Sequence, residues 1–170
     1  MVKPVFSNVL QIGIVVRDLD AAVERYWEQF GLGPWQINTL DPSNTSDMVV
    51  RGKPQTFALR AATTQIGNVQ WELIEPLDEE GIYAEFLREH GEGMHHIGFG
   101  IDDYDAANAF FREKGMEVLL GGTWGTVESV YWDTRDSLGC IAEIWREPGE
   151  GEDFAPPDAV YPDLQDSTPS

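Results

Sequence analysis

The chain has 170 residues and a formal net charge of −19, from 11 basic and 30 acidic side chains. That balance argues against a nucleic-acid or anionic-membrane ligand, because phosphate contacts need clustered Lys and Arg. Hydrophobic residues make up 42%, enough for one packed domain. The single Cys140 has no partner for an internal disulfide, and no run reaches the roughly 18 apolar residues that span a bilayer, so the cytoplasm is the expected compartment.

Taken in chain order, residues 11–16 (QIGIVV) form a short β-branched run that predicts a strand. Asp18 or Asp20 then caps a helix whose buried stripe is Ala22, Val23, Tyr26, Trp27 and Phe30, ended by Gly31. Strands follow at 49–50, 57–61 and 69–74. The polar, Pro-containing stretch 38–54 reads as an insertion able to form a lid, or as a passive surface loop. Residues 82–90 predict a linking helix, preceded by the acidic Asp78-Glu79-Glu80 that suits a helix N-terminus. The pattern then begins again. Residues 96–101 predict a strand, Asp103 or Asp105 a cap, and Ala106, Ala107, Phe110 and Phe111 a helix stripe. Gly115 ends that helix, and strands follow at 117–120, 127–132 and 140–145.

The two halves are a repeat. At a constant offset of 85, Ile12 lies over Ile97, Gly13 over Gly98, Asp18 over Asp103, Asp20 over Asp105 and Glu28 over Glu113. Each half reads β-α-β-β-β, an α+β arrangement of two related modules over about 7–77 and 94–148, with the linker helix at about 80–91. Residues 149–170, rich in acid, Pro and Gly, read as an extended or disordered acidic tail beyond a domain spanning 1–148.

Strand alternation places chemistry at matching points of the two modules. With Ile12, Ile14 and Val16 turned toward the helix, Gln11 falls on the opposite face beside Gly13; His96 does the same beside Gly98. In the last strand of each module Glu72 lies opposite Trp71 and Leu73, and Glu143 opposite Ala142 and Ile144. Related by a pseudo-twofold, Gln11, Glu72, His96 and Glu143 converge on one cavity. Two carboxylates inside a sheet are costly unless paired, protonated or bound to metal. Two Glu, a neutral imidazole and an amide oxygen suit one divalent Zn, Co, Ni, Mn or Fe ion, with positions left to chelate neighbouring substrate oxygens. Glu143 and Glu72 are the candidate general bases. Trp35, Phe57, Trp124 and Tyr131 are candidates for the pocket wall. His95 and His90 read as structural, Cys140 as packing, and Asp133, Thr134 and Asp136 as a turn.

The runs QIGIVVRDLDAA, WELIEPL, EFLREHGEGMHHIGFGIDD and YWDTRDSLGCIAEIW resemble the vicinal oxygen chelate (glyoxalase/bleomycin resistance/dioxygenase) superfamily over about residues 7–148, and within it methylmalonyl-CoA epimerase most. The resemblance implies paired βαβββ modules in a curved, cavity-enclosing mixed sheet. It also implies one divalent metal at the four positions named, a homodimer, and an isomerase, epimerase or lyase that moves the proton next to a chelated carbonyl. Two features depart from the epimerase pattern. Gln11 stands where that pattern has His, so that the Gln-Glu-His-Glu set resembles zinc-type glyoxalase I. The region near 54–56 carries no second acid/base carboxylate. An acyl-CoA substrate would need basic residues at the cavity mouth, for which Arg17, Arg51, Lys53, Arg60 and Arg135 are candidates. The alternatives on the same fold are a glyoxalase I-like lactoylglutathione lyase, a ring-cleaving dioxygenase and a non-catalytic small-molecule binder.

Overall fold

The computed structural model describes residues 5–149 and 155–163; the remainder of the acidic tail, 150–154 and 164–170, lies outside them. The first module runs β1 (Phe6–Val15), α1 (Leu19–Phe30) and β2 (Trp35–Leu40). A hairpin of β3 (Thr45–Val50) and β4 (Lys53–Pro54) follows, then β5 (Leu59–Ile66) and β6 (Val69–Pro76). Helix α2 (Ile82–His90) links to the second module, which runs β7 (Gly93–Ile101), α3 (Tyr104–Glu113), β8 (Val118–Trp124), β9 (Val127–Trp132), the short α4 (Arg135–Leu138) and β10 (Ile141–Trp145). A last strand, β11 (Ala159–Tyr161), comes from the acidic tail.

The two longer module helices start and stop by the same chemistry. Asp18 accepts the Ala21 N–H and Asp103 the Ala106 N–H, both at 2.9 Å, each satisfying one of the unpaired amides of a first helical turn. Gly31 ends α1 at φ 65°, a left-handed conformation in which an L side chain is strained. The buried face of α1 is Leu19, Ala22 and Val23, packed with Ile14 and Val16 of β1 and Leu73 of β6. Phe30 differs from the expected stripe: as the last residue of α1 it is 67% exposed and touches Tyr26 ring edge to face. In the second module Tyr104, Ala107 and Phe111 pack on Trp132 and Ile144, and the Trp132 indole N–H is satisfied by Asn108 at 3.0 Å.

Among the described residues all eleven strands form one mixed sheet in the order β11-β2-β5-β6-β1-β7-β10-β9-β8-β3-β4. Its centre is the antiparallel seam between β1 and β7, flanked by β6 parallel to β1 and β10 parallel to β7. Outward from the seam each module repeats the same order, which is the pseudo-twofold relationship expected from the repeat. One strand was placed differently by sequence. The second strand of the first module is Trp35–Leu40, paired with β5, whereas residues 49–50 belong to β3. That hairpin crosses to the other module, where Thr45 pairs with Trp124 and Val50 with Leu120. The insertion therefore extends the second module's edge. Residues 159–161 of the tail cover the opposite edge by pairing with β2, so both outer strands of the repeat are shielded from further pairing.

Candidate metal centre

Backbone register builds the site. Across β6, β1 and β7, Glu72 is level with Gly13, and Gly13 with His96. Across β10, β7 and β1, Glu143 is level with Gly98, and Gly98 with Gln11. Each module thus supplies a glutamate and a glycine in one row, and the partner module supplies the ligand that lies over that glycine. The need for glycine is steric. A Cβ on Gly13 would sit 1.9 Å from His96 Cε1, and one on Gly98 would sit 2.9 Å from Gln11 Cβ.

The four side chains meet as strand alternation predicts. His96 Nε2 lies 3.2 Å from Glu143 Oε2, 3.4 Å from Glu72 Oε2 and 3.3 Å from Gln11 Oε1. Donor atoms of Glu72, His96 and Glu143 all lie within 4.8 Å of one another. One imidazole nitrogen carries at most one hydrogen, so it cannot satisfy three oxygens. Glu72 Oε2 and Glu143 Oε2 are buried without a hydrogen-bond donor. Orphaned buried carboxylate oxygens are expensive, and a cation between them removes the deficit. The spacing suits one: with donor–metal distances of about 2.1 Å, neighbouring donors stand about 3.0–3.4 Å apart. The residues present therefore fit a divalent metal bound by two carboxylates, an imidazole and an amide oxygen.

The surroundings fix these side chains. Gln11 Nε2 donates to Gln70 Oε1 at 2.6 Å, which leaves Oε1 of Gln11 turned toward His96. His96 is fully buried, its ring edge-on to Tyr131 with centroids 4.8 Å apart, and its Nδ1 lies 3.2 Å from Nδ1 of His95. His95 in turn packs against Tyr83 and Phe86 of α2. Burial, with the neighbouring imidazole, takes His95 down to about 2, so that it stays neutral and in the Nε2–H tautomer can accept from His96. An Nδ1–H of His96 donated there leaves Nε2 free to ligate. Burial alone would also lower His96, but the adjacent Glu143 and Glu72 carboxylates override it and raise the metal-free imidazole to about 9. Burial raises Glu72, with His96 opposing and Glu143 adding to the effect. Tyr83 and Tyr131 are pushed well above 10, first by burial and then by Glu143, so both keep their hydroxyl hydrogens.

The centre forms the floor of a cavity of about 440 Å³. Phe57, Trp124 and Tyr131 line it as expected; Trp35 does not, being wholly buried against α1 with its indole N–H on Leu32 O. Of the basic candidates, Arg51 pairs with Glu85, Arg60 with Asp20 and Glu75, and Arg135 with Asp133. Arg17 reaches Leu87 O, and Lys53 lies on the outermost strand. None of the five is among the cavity's lining residues. Sequence reasoning passed over Gln70. Its signal is register: as the residue level with Gln11 in a parallel neighbour, it had to face the same side.

The sequence matches the profile described as "Glyoxalase/Bleomycin resistance protein/Dioxygenase superfamily" over residues 10–128. The chain belongs to this superfamily. Among solved structures, this superfamily member is similar to Streptomyces coelicolor methylmalonyl-CoA epimerase in complex with 2-nitronate-propionyl-CoA, at 28% identity and a TM-score of 0.64, covering 82% of this chain and 96% of that one. A hypothetical protein from Bacillus halodurans gives 25% identity and a TM-score of 0.64, with 86% and 98% covered. Methylmalonyl-CoA epimerase from Mycobacterium tuberculosis gives 23% and 0.63, with 88% and 93% covered, a likeness of fold alone. No curated protein matches the sequence. Among the described residues no helix is long and apolar enough to cross a membrane.

Proposed function

We propose that this superfamily member is a divalent-metal-dependent isomerase, epimerase or lyase that transfers a proton next to a chelated carbonyl. The observation that carries the reading is the pair of buried, unsatisfied carboxylate oxygens on Glu72 and Glu143, held with Gln11 and His96 at ligand spacing on the floor of a cavity. When bound, a divalent cation would act as a Lewis acid that polarises the substrate carbonyl and offsets developing enolate charge.

The chain's own residues do the rest. Gln11 and His96 hold the centre in place, the first fixed by Gln70 and the second by His95. Glu143 takes the α-proton as general base, a role worth about 10²–10⁴-fold. Glu72, which enters from the first module across the seam from Glu143, is the second candidate to hold or return the proton. Tyr131 and Phe57 shield the floor from bulk water, which strengthens every electrostatic interaction there. The similarity to methylmalonyl-CoA epimerase supports proton transfer, and the Gln-Glu-His-Glu donor set supports a glyoxalase I-like lyase as the second reading.

Deuterium wash-in from heavy water tests the reaction class. The purified chain, with and without added Co²⁺ or Zn²⁺, is incubated with acyl-CoA thioesters, 2-oxo-aldehyde hemithioacetals and keto-sugars. Metal-dependent exchange at the carbon next to the carbonyl of at least one is the expected result. Exchange on none overturns the proposal.

A further inference from the structure

We infer that the substrate is an uncharged, polyhydroxylated carbonyl compound of keto-sugar size. It would be read on one side by a ladder of neutral amides and hydroxyls and on the other by an apolar wall. The inference rests on the metal-centre reading above and adds the substrate class.

Register again supplies the argument. The row Glu72, Thr63, Gln36 climbs from the metal floor across β6, β5 and β2, and the row Gln11, Gln70, Gln65 climbs across β1, β6 and β5. Residues paired across strands share a face, so both rows point into the cavity, and all six side chains line it. The wall contributed by the second module differs. There Glu143 is level with Tyr131, and Tyr131 with Leu120, and Val127 and Trp124 complete an apolar side. The first module's wall offers donors and acceptors at strand spacing among apolar neighbours such as Leu59, Ala61 and Ile74, and the second module's is mainly apolar with Ser129 as its hydroxyl. A ring or chain with hydroxyls along one edge and C–H bonds on the other matches both, since the amides and the hydroxyl that line the cavity can exchange hydrogen bonds with hydroxyls and aromatic faces accept apolar edges.

Charge selects the same class. Two glutamates balance a divalent ion, so the loaded centre carries no net charge to attract a carboxylate. The charged side chains among the lining residues are Glu72, Glu143 and Glu147, all negative. Among the described residues no Lys or Arg lines the cavity, and four of the five candidate cations are held elsewhere by the contacts already given. Substrates carrying phosphates or a peptide's carboxylates are recognised through bidentate Arg or clustered Lys, which this wall lacks. A neutral ligand that chelates through a carbonyl and an adjacent hydroxyl meets no such repulsion.

The full chain, loaded with Co²⁺ and with metal content measured separately, is titrated with neutral ketoses and deoxy-ketoses, and in parallel with methylmalonyl-CoA, malonate and the methylglyoxal–glutathione hemithioacetal. Binding is read from the visible Co²⁺ spectrum and from quenching of Trp124 and Trp145 at the cavity. Saturable binding of a neutral ketose, at least tenfold tighter than any anion, is the expected result. Gln36→Lys and Gln65→Lys, at exposed positions, should reverse that preference. Thr63→Val should weaken the ketose about tenfold with metal content unchanged. Tighter binding of any anion by the native chain, binding of neither class, or lysine variants with unaltered preference would overturn the inference. Failure to take up Co²⁺ while tryptophan quenching still reports a neutral ligand would sink the metal-centre reading alone.

Discussion

Gly13 lies under the imidazole of His96, from the other half of the molecule: the two are level on the antiparallel seam, and a Cβ on Gly13 would come within 2.3 Å of Nε2. The His96 ring has nowhere else to go, because Tyr131 and His95 occupy its other sides. Gly13→Ala should therefore displace the ring and lower metal affinity at least tenfold, the low end of what disturbing a ligand's support costs. Isothermal titration with Zn²⁺, beside a circular dichroism spectrum showing the sheet intact, checks it. Unchanged affinity would mean that His96 is not a ligand.

In the proposed centre Gln70 would act on the metal through its hydrogen bond with Gln11. Gln70→Leu removes the acceptor that holds the Gln11 amide, so Nε2 of Gln11 becomes free to turn inward, and metal affinity should fall about tenfold. Gln70→Glu keeps an acceptor and should restore most of it. Equal losses in both variants would show that packing, rather than the hydrogen bond, matters at this position.

Glu143→Gln separates ligation from proton transfer. The amide oxygen can still ligate, as Gln11 is placed to do, but cannot take a proton. Metal stoichiometry should persist while deuterium exchange drops by about 10²–10⁴-fold. Retained exchange would move the base to Glu72.

Proton linkage gives a pH signature. In the metal-free protein His96 is raised from 6.5 to about 9. The folded state then binds more protons than the unfolded one between these values, so the stability from this group is complete below 6.5 and is lost as pH rises through 9. Glu72, also raised, acts in the same direction. The melting temperature of metal-free protein should fall from pH 6.5 to 9. Metal uptake displaces the proton, so apparent metal affinity should rise by about tenfold per pH unit over that window. A melting temperature that rises over the interval, or uptake without proton release, would contradict the arrangement of His96 between two carboxylates.

The repeat predicts matched losses at its caps. Asp18→Ala and Asp103→Ala each remove one N–H acceptor of the same geometry, and each should cost about 1 kcal/mol in urea unfolding. A large inequality would show that one helix is held by packing alone.

The sequence by itself determined the repeat, the strand and helix of each half, and the face on which Gln11, Glu72, His96 and Glu143 lie. These are local properties: alternation fixes which side a strand residue faces, and Asp, Gly and apolar spacing fix where a helix starts, stops and packs. The fold class and superfamily were legible for the same reason. Trp35–Leu40 was missed because its alternation is interrupted after Ile37 by Asn38 and Thr39, which pair with Ala61 and Arg60 of β5 and hydrogen-bond to Asp158 of the tail, partners far away in sequence. Tertiary structure alone decided which strand neighbours which. That choice sends the β3–β4 hairpin to the other module's edge, puts Gln70 beside Gln11 and Thr63 beside Glu72, and carries Arg51, Arg60 and Arg135 to ion pairs outside the cavity lining. Register between strands far apart in sequence depends on the packing of both faces at once, and no window of the chain contains it.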